Sequence, residues 1–359
     1  MGQQTDVDAV VLVGGQGTRL RPLTLSAPKP MLPTAGVPFL EHLLSRISGI
    51  GIRHVVLGTS YKAETFTEYF GDGSAFGLDI EYLVEDEPLG TGGAIRNVAD
   101  ALRADTVLVF NGDILAGVDL RQLLATHFDN DADVTLHLVK VADPRAFGSV
   151  PTGADGRVEA FLEKTENPPT DQINAGCYVF KRSVLESIPA GRVVSVERET
   201  FPGLLASGAR IFGHVDSTYW LDLGTPEAFV RGSTDLVTGV APTQALPGPT
   251  GASLVLDGAT VAADATLTGG TTIGRGASVA AGAVLDGAVI FDGAVIGAGA
   301  KVSRSVIGAG ARVGDGAVIS DAVVGDAAVI GERCELIGGI RIWPGVQLPA
   351  AGVRFSADT

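Results

Sequence analysis

The sequence predicts an α/β protein whose doubly wound, mostly parallel sheet is followed by a left-handed parallel β-helix. In the first 238 residues, short apolar strands alternate with helix-forming stretches, as in parallel βαβ units. Beyond residue 251, aliphatic residues recur every six positions for about five coils. The Pro- and Gly-rich segment 239–251 separates these patterns. We therefore expect domains at 1–238 and 252–359, joined by a linker at 239–251.

The composition is that of an ordered globular protein, and it excludes several function classes. Hydrophobic residues make up 45% of the 359, and the net charge of −15 argues against nucleic-acid binding, which normally leaves a basic patch. The polar N-terminus does not resemble a signal peptide, and no apolar run reaches membrane-spanning length. Cys177 and Cys334 fall in different predicted domains. We expect a cytoplasmic protein without disulfides that binds neither nucleic acid nor membranes.

The first predicted strand leads into a glycine-rich segment that carries basic residues only. Four consecutive β-formers, residues 10–13, are followed at once by glycines. Arg19, Arg21 and Lys29 then lie in a window, residues 9–40, that contains no aspartate or glutamate. A strand end, backbone amides and clustered cations together suit a triphosphate.

Two better-known glycine loops are excluded, and a third pattern matches. A dinucleotide fingerprint requires a glycine where Leu20 stands, and no Gly-Lys-Ser/Thr triplet of a P-loop follows. Residues 14–24 instead read Gly-Gly-x-Gly-Thr-Arg-Leu-x-Pro-Leu-Thr, with Pro-Lys-Pro at 28–30. This long, ungapped pattern closely resembles the signature of the sugar-1-phosphate nucleotidyltransferases, the nucleotide-sugar pyrophosphorylases.

The resemblance implies a Rossmann-like nucleotidyltransferase domain in which the signature binds a nucleoside triphosphate. Arg19 and Lys29 would hold the triphosphate and stabilise the departing pyrophosphate, which makes both catalytic candidates. The nucleotide-binding residues that the resemblance assigns to this stretch are Leu12, Gly14, Gly15, Gly17, Thr18, Arg19 and Lys29.

The next elements continue the parallel sheet. Apolar residues at helical spacing predict an amphipathic helix over 38–50, and apolar runs predict strands at 54–58, 80–84 and 106–110. Ligands of such sheets lie beyond the carboxyl ends of the strands. The remaining motifs all fall at such ends.

The strand predicted at 80–84 runs into a loop that resembles the family's base-binding loop. Gly90 and Gly92 would let the backbone contact the base. Thr91 would bind the nucleotide, cap the following helix, or do both. Family members that use thymidine or uridine nucleotides usually carry glutamine where Glu85 stands. Guanine offers two adjacent donors to a carboxylate, which only accepts hydrogen bonds, so Glu85 predicts GTP. The alternative is a solvated acidic loop.

Two aspartates follow strands inside motifs that resemble those of the family. Asp113 ends the sequence Asn-Gly-Asp after the fourth strand, and Asp222 precedes a helix start predicted at Thr225-Pro226. The resemblance implies that both aspartates hold Mg²⁺, which prefers hard oxygen ligands and substrate phosphates. Asp113 would also contact the nucleotide. A lone aspartate in a loop is more often a turn or capping residue, but the order of the motifs favours metal binding.

Three further motifs resemble elements that surround the sugar phosphate in the family. They are Phe-Gly at 147–148, Glu-Lys at 163–164 and Asn-Ala-Gly at 174–176. The resemblance implies that Lys164 binds the phosphate, as a third catalytic candidate, and that Glu163 binds a sugar hydroxyl. The substrate-binding residues that it implies are Gly148, Glu163, Lys164, Asn174 and Gly176.

The C-terminal repeat places one aliphatic side chain per hexad inside a triangular coil, with Gly and Ala at the corners. The aliphatic series begins at Val261, skips one residue to resume at Val284, and skips again to Ile307 and to Val324. Stacked coils leave an open end that must be capped or paired. We therefore expect a homo-oligomer that assembles through the β-helix.

The base loop and the repeat tail look most like the family members that make GDP-mannose and pyrophosphate from GTP and mannose 1-phosphate. The implied chemistry is in-line attack on the α-phosphorus, which needs no general base because a phosphate monoester (second pKa about 6) is already largely dianionic. Thymidylyl or uridylyl transfer to glucose 1-phosphate is the alternative within the class. A regulatory subunit is disfavoured because Arg19, Lys29 and both aspartates are present. A hexapeptide acyltransferase is disfavoured because no histidine follows His214.

Overall fold

The computed structural model describes residues 6–353, which form two compact units. The sheet unit comprises the chain up to Gly15 together with Leu44–Trp220, and the β-helix unit comprises Gln16–Leu43 with the chain from Leu221 onwards. The glycine-rich signature is therefore divided between the units just after Gly15. The domain limits expected at residues 238 and 252 are a separate, sequence-based division and stay a prediction.

Short α-helices and one longer C-terminal helix occur before the repeat. The helix expected over 38–50 is confirmed as α1. The helix start predicted at Thr225 is also confirmed: the Ala228 N–H donates to Thr225 Oγ1 at 3.2 Å, and Pro226 occupies the first turn. None of the helices within residues 6–353 is long and apolar enough to cross a membrane. The helices are α1 (Phe39–Gly49), α2 (Ala63–Phe70), α3 (Gly90–Val98), α4 (Leu120–Asp129), α5 (Arg182–Ser187), α6 (Phe201–Ala206) and α7 (Pro226–Thr238).

The strands that precede the repeat include all four predicted β-strands. Those expected at 54–58, 80–84 and 106–110 lie within one residue of their limits, whereas the one expected at 10–13 begins at Val7 and ends at Leu12. These strands are β1 (Val7–Leu12), β2 (Pro33–Thr34), β3 (Val37–Pro38), β4 (His54–Thr59), β5 (Asp79–Val84), β6 (Thr106–Asn111), β7 (Ile114–Ala116), β8 (Val134–Lys140), β9 (Gly148–Ser149), β10 (Leu162–Glu163), β11 (Gln172–Lys181), β12 (Ile211–Asp216) and β13 (Trp220–Asp222).

The main sheet of the sheet unit is mixed. Its order is β10-β9-β11-β6-β1-β4-β5, and β8 and β12 extend it from β11. β6, β1, β4 and β5 are parallel, as expected, whereas β11 is antiparallel to both β6 and β8. Because β1 pairs Leu12 with both Gly58 and Asn111, the carboxyl ends of β4, β1 and β6 meet at one edge. The motifs of the sheet unit that are predicted to bind the nucleotide follow strands at this edge.

The repeat forms short parallel strands from Ser253 to Leu348. They are β14 (Ser253–Val255), β15 (Thr260–Val261), β16 (Thr266–Thr268), β17 (Thr271–Ile273), β18 (Ser278–Val279), β19 (Val284–Asp286), β20 (Val289–Ile290), β21 (Val295–Ile296), β22 (Lys301–Ser303), β23 (Val306–Ile307), β24 (Arg312–Val313), β25 (Val318–Ser320), β26 (Val323–Val324), β27 (Val329–Ile330), β28 (Glu335–Ile337), β29 (Arg341–Ile342) and β30 (Gln347–Leu348).

These strands stack into three parallel sheets, consistent with the predicted left-handed parallel β-helix. The first sheet runs β14-β17-β20-β23-β26-β29, the second from β15 to β30, and the third from β16 to β28. Stacked positions are 17 residues apart in the middle coils, as from Ser303 to Ser320, and 18 apart at the start, as from Thr268 to Asp286. Middle coils are thus one residue shorter than three hexads.

The predicted register of the repeat is wrong at one position. Leu285 fills the interior and is fully buried, whereas Val284 points outward and is 40% exposed. The missing residue comes after Leu285, in the turn from the third sheet to the first, where Ile290 resumes the buried series. Ile307 and Val324 are buried as expected. Two adjacent aliphatic residues satisfy a six-residue count equally well, so the count alone could not select Leu285.

The first sheet of the β-helix is buried on its outer face as well. Successive side chains of a strand alternate between faces, so Val289, Val306 and Val323 point away from the coil interior, yet none is more than 3% exposed. Their cover is a cluster that includes Phe229 of α7 and leucines from residues 20–32. The N-terminal signature segment therefore packs on the outside of the C-terminal repeat.

Candidate active site

The signature loop (residues 16–30) is a series of tight turns in the β-helix unit. Gly17 has a positive φ of 59°, and a Cβ atom there would lie 2.9 Å from Cγ2 of Thr24 and 3.1 Å from Cβ of Lys29. The Thr24 hydroxyl donates to the Gly17 carbonyl at 2.9 Å. Thr24 and Lys29 pack closely against Gly17, just before the turn that starts at Thr18. A side chain at position 17 would collide with them, so this packing requires glycine.

Arg19, Lys29 and Asp222 lie together in the same unit. Nζ of Lys29 is 3.6 Å from Oδ1 of Asp222, and Lys29 is only 8% exposed. A Cβ atom on Gly224 would lie 2.7 Å from Nη2 of Arg19 and 3.0 Å from Oδ1 of Asp222. The guanidinium, the ammonium and the carboxylate therefore share one small space, bordered by Gly224. Two cations beside one carboxylate are suited to a polyphosphate and a metal ion.

In the sheet unit, Leu12 and Asp113 lie at adjacent strand ends. The Gly112 N–H donates to the Leu12 carbonyl at 2.9 Å, and a Cβ atom on Gly112 would lie 2.6 Å from that oxygen. Asp113 occupies the turn between β6 and β7, next to this contact. The carbonyl of Gly14 accepts a hydrogen bond from the Ser60 hydroxyl, and a Cβ atom on Gly15 would meet open space.

Glu85 differs from the two acidic residues that follow it. Its Oε2 accepts a hydrogen bond from the Leu89 N–H at 3.3 Å, and burial raises the pKa of its carboxyl group. Asp86 and Glu87 are exposed. The half-buried position of Glu85 favours a binding role over the alternative of a solvated acidic loop.

The glycines of the base loop contact another part of the sheet unit. Gly90 has a φ of +70°, and a Cβ atom there would lie 2.7 Å from the carbonyl oxygen of Val194. The Gly92 N–H donates to the same oxygen at 2.8 Å. These glycines are therefore required by the close approach of the segment around Val194, a reason that the resemblance did not supply.

The capping alternative for Thr91 is wrong, because α3 begins at Gly90 and Leu89 occupies the N-cap without a side-chain bond. The Thr91 hydroxyl instead donates to Oε2 of Glu197 at 2.7 Å and accepts from the Val196 N–H at 2.9 Å. Glu197 was missed by the sequence reasoning. It lies in a π-helical turn, Val196–Thr200, and the only local signal was Ser195, which caps that turn. π-Helical turns are frequent at functional sites.

The residues predicted to bind the sugar phosphate form two groups in the sheet unit. In the first, β9 and β10 pair Gly148 with Glu163, and a Cβ atom on Gly148 would lie 2.9 Å from Oε2 of Glu163. Nζ of Lys164 lies 3.7 Å from Oε1 of Glu163, and the lysine side chain is 61% exposed. The structure therefore brings Gly148, Glu163 and Lys164 together.

The second group lies at an irregularity of β11. Asn174 Nδ2 donates to the Tyr178 hydroxyl at 2.8 Å, and the Gly176 N–H donates to Asn174 Oδ1 at 3.0 Å. Gly176 has a φ of +74°, and a Cβ atom there would lie 2.4 Å from Ile114 Cδ1. Burial raises the pKa of Tyr178 well above its usual value. Asn174 and Gly176 thus shape the bulge through contacts within the protein.

The two aspartates predicted to hold Mg²⁺ lie in different units, Asp113 in the sheet unit and Asp222 in the β-helix unit. Within residues 6–353, no group of three or more His, Cys, Asp or Glu side chains could hold a metal ion. Mg²⁺ is usually bound by one or two carboxylates together with substrate phosphates. Asp113 and Asp222 supply such hard oxygen donors, and Oδ1 of Asp222 is shielded from solvent.

Comparisons with known proteins match both the first part of the chain and the repeat. A family model described as nucleotidyl transferase matches residues 8–239, and one described as GMPPB C-terminal domain matches residues 250–354. A mannose-1-phosphate guanylyltransferase of Mycobacterium tuberculosis is 66% identical over 353 residues, which cover 98% of each chain.

Two shorter proteins each match about two thirds of the chain. A D-glycero-alpha-D-manno-heptose 1-phosphate guanylyltransferase of Aneurinibacillus thermoaerophilus is 34% identical over 64% of this chain and 98% of its own. The crystal structure of HddC from Yersinia pseudotuberculosis complexed with GMP-PN is 30% identical, with a TM-score of 0.56, over 64% of this chain and 99% of its own. The model match over residues 8–239 and the 66% identity over nearly the whole chain show that the chain belongs to the nucleotidyl transferase family.

Proposed function

We propose that the chain transfers the guanylyl group of GTP to mannose 1-phosphate, which forms GDP-mannose and releases pyrophosphate. The observation that carries this proposal is the group of Arg19, Lys29 and Asp222 around Gly224. The 66% identity to a mannose-1-phosphate guanylyltransferase supports the choice of guanine and mannose. We also infer a cytoplasmic homo-oligomer that assembles through the β-helix.

Positioning and charge neutralisation account for the chemistry. The phosphate of the sugar attacks the α-phosphorus in line, and its dianionic form (second pKa about 6) needs no general base. Arg19 and Lys29 bind the triphosphate, and their charges stabilise the pyrophosphate as it leaves. The low exposure of Lys29 supports this role, because an ammonium in a shielded site attracts phosphate more strongly than one in water.

Asp113 and Asp222 are the residues that would hold Mg²⁺. When bound, the ion would neutralise phosphate charge and polarise the reacting phosphoryl group. Lys29 lies 3.6 Å from Asp222, and we infer that this ion pair orients the carboxylate before the substrates arrive.

The remaining residues would select the substrates. Glu85 accepts hydrogen bonds from N1–H and N2–H₂ of guanine, and its partial burial strengthens those bonds. Lys164 binds the phosphate of the sugar, Glu163 binds a sugar hydroxyl, and Gly148 leaves room beside that carboxylate. Asn174 and Gly176 would form the wall of the pocket through the bulge of β11.

The test is pyrophosphate release from a matrix of GTP, dTTP, UTP and ATP with mannose 1-phosphate, glucose 1-phosphate and a manno-heptose 1-phosphate. GTP with mannose 1-phosphate should exceed every other pair by at least ~10-fold in kcat/KM. A preference for dTTP or UTP with glucose 1-phosphate would establish the alternative within the class. Absence of turnover with all pairs would favour a regulatory subunit.

The variant Glu85→Gln tests the choice of base separately. It should lower kcat/KM for GTP by about 10- to 150-fold, because the amide cannot accept both guanine donors. Use of dTTP or UTP should fall less, or rise. Asp86→Asn is the matched control, since Asp86 is exposed in the same loop. A Gln variant with the parental nucleotide ranking would exclude Glu85 from base recognition.

A further inference from the structure

We propose that Arg341, on the last strand of the first β-helix sheet, is a positioning residue for GTP binding. Its Nη1 donates to the carbonyl oxygen of Arg19 at 2.7 Å and to that of Arg21 at 2.9 Å. One guanidinium thus holds two carbonyls of the signature loop, more than 300 residues away in the sequence. The inference rests on the proposed function, because it assigns Arg341 an effect on the nucleotide.

The two contacts lie beside the apolar anchor of the loop, because Arg341 follows Val306 and Val323 in register on the outer face of the first sheet. Leu20, between the two carbonyls, is fully buried in the cluster that covers the outer face of the first sheet. The turn from Thr18 closes where the Arg21 N–H donates to the Thr18 carbonyl at 3.2 Å. Leu20 therefore anchors the loop on the first sheet. Arg341, through its hydrogen bonds to the two carbonyls, fixes the rotation of the backbone about that anchor.

The rotation of the backbone determines where the Arg19 side chain reaches. The Arg19 side chain leaves the backbone at the Cα atom bonded to the carbonyl group that Arg341 holds. Its guanidinium lies against Gly224, beside Asp222. A small rotation of the backbone moves the end of this long side chain by a much larger distance. Loss of Arg341 should therefore misplace a phosphate-binding charge without unfolding the loop.

A second contact from the repeat fixes the other part of the loop. The Ser26 hydroxyl donates to Oδ2 of Asp326 at 2.5 Å, and Oδ1 of Asp326 accepts from the Ala309 N–H at 2.8 Å. Polar side chains of the β-helix therefore contact the signature loop both near Arg19 and at Ser26. Arg341 is exposed, so the carbonyls that it holds can bond to water when it is removed, and folding should be little affected.

The experiment compares Arg341→Ala, Arg341→Lys and the control Arg312→Ala in the full-length protein. Arg312 is an exposed arginine on β24, in the second sheet. We expect Arg341→Ala to lower kcat/KM for GTP by about 10-fold, with the KM for mannose 1-phosphate and the melting temperature unchanged. Arg341→Lys should recover part of the loss, since one ammonium can donate to both carbonyls. Arg312→Ala should match the parent.

A double-mutant cycle with Arg19→Ala separates positioning from a purely structural effect. If Arg341 acts through Arg19, its removal should cost at most about 2-fold once Arg19 is already alanine. Independent losses in the double variant, or a lowered melting temperature with equal losses for both substrates, would overturn the inference. So would a parental kcat/KM for GTP in Arg341→Ala.

GTP titration in the absence of sugar phosphate keeps this inference distinguishable from the proposed function. A parent that binds GTP without turning over, and an Arg341→Ala variant that binds it about 10-fold more weakly, would overturn the proposed reaction and uphold the positioning role. A parent that makes GDP-mannose, with an Arg341→Ala variant that binds GTP equally well, would overturn the positioning role alone.

Discussion

The two units hold their candidate site residues in different ways. In the sheet unit, Leu12 and Asp113 lie at the ends of β1 and β6, where backbone pairing and the hydrogen bond from the Gly112 N–H to the Leu12 carbonyl hold the chain. In the β-helix unit, Arg19 and Lys29 lie in a loop that is held by side-chain packing against α7 and the first repeat sheet. Backbone pairing tolerates many side chains, whereas packing depends on particular ones. The signature loop should therefore be the more sensitive of the two to remote changes.

The largest expected effect comes from removal of the repeat, by truncation before Ala252. The truncated chain lacks Val289, Val306 and Val323, so the leucines of the signature loop lose their cover, at about 1.5–3 kcal/mol for each buried side chain. Disorder of the loop should lower kcat/KM for GTP by roughly 1,000-fold or more. Steady-state kinetics and hydrogen exchange of the truncated chain measure both changes.

Amides of β1 and β6 in the truncated chain are the internal control, since their partners lie within the sheet unit. They should stay protected while the loop exchanges faster. Sedimentation velocity of the same sample tests assembly through the β-helix. Full activity after truncation would contradict the dependence of the loop on the repeat.

The two aspartates offer a matched pair of changes, one in each unit. Asp113→Asn and Asp222→Asn should each lower kcat by at least ~100-fold at saturating Mg²⁺, because each removes a charge from the proposed metal site. Asp119→Asn is a suitable control, since Asp119 caps α4 in the sheet unit. Near-normal turnover of either variant would remove that residue from the metal site.

Two glycines distinguish a backbone constraint from a side-chain constraint. Gly112→Ala places a methyl group 2.6 Å from the Leu12 carbonyl, which is part of a paired strand, so we expect a loss of about 1–3 kcal/mol in the free energy of unfolding. Gly224→Ala instead meets Arg19 Nη2 at 2.7 Å, the far end of a flexible side chain.

Gly224→Ala should therefore leave the melting temperature within a few degrees of the parent and lower kcat/KM for GTP by about 10-fold, through displacement of Arg19. Thermal melts and kinetics on both variants make the comparison. If Gly112→Ala changed activity alone, or Gly224→Ala changed stability alone, the contrast between the units would be wrong.

Features of the fold that depend on local periodicity could be predicted from the sequence. The parallel strands, α1, the helix start at Thr225 and the six-residue repeat all follow from patterns within a few residues of each other. The register at Val284 was wrong because Leu285 is its direct neighbour and equally aliphatic. The antiparallel pairing of β11 was not predicted, since strand direction depends on the path of the connecting chain.

Contacts between distant parts of the chain could not be predicted. The partners of Thr91 are Val196 and Glu197, 105 and 106 residues later, and the capping alternative considered only the local helix. Arg341 carries no local signal for its contact with the Arg19 carbonyl, 322 residues earlier. The candidate residues themselves came from the resemblance, and their assigned roles stay predictions.

The last expected effect concerns the pH dependence of stability and leaves activity aside; it compares one histidine from each unit. His42, in the β-helix unit, contacts the Thr34 carbonyl and the Thr243 hydroxyl, and burial lowers its pKa to about 4. Burial would also lower the pKa of His54, in the sheet unit, but the ion pair between its Nδ1 and Oδ1 of Asp8, at 3.0 Å, outweighs burial, and the pKa is raised.

The two histidines should therefore respond to pH in opposite directions. In the unfolded chain, His42 becomes protonated as the pH falls below about 6.5. In the folded protein, His42 stays neutral until the pH approaches about 4. Acidification from pH 7 to 5 should thus cost about 2 kcal/mol through His42. The contribution of His54 is fully present below about pH 6.5 and is lost as the pH rises through its higher folded value.

In melts between pH 5 and 8, His42→Gln should flatten the acid side of the stability profile and His54→Gln the alkaline side. Identical profiles for the two variants would show that neither environment acts as the structure indicates.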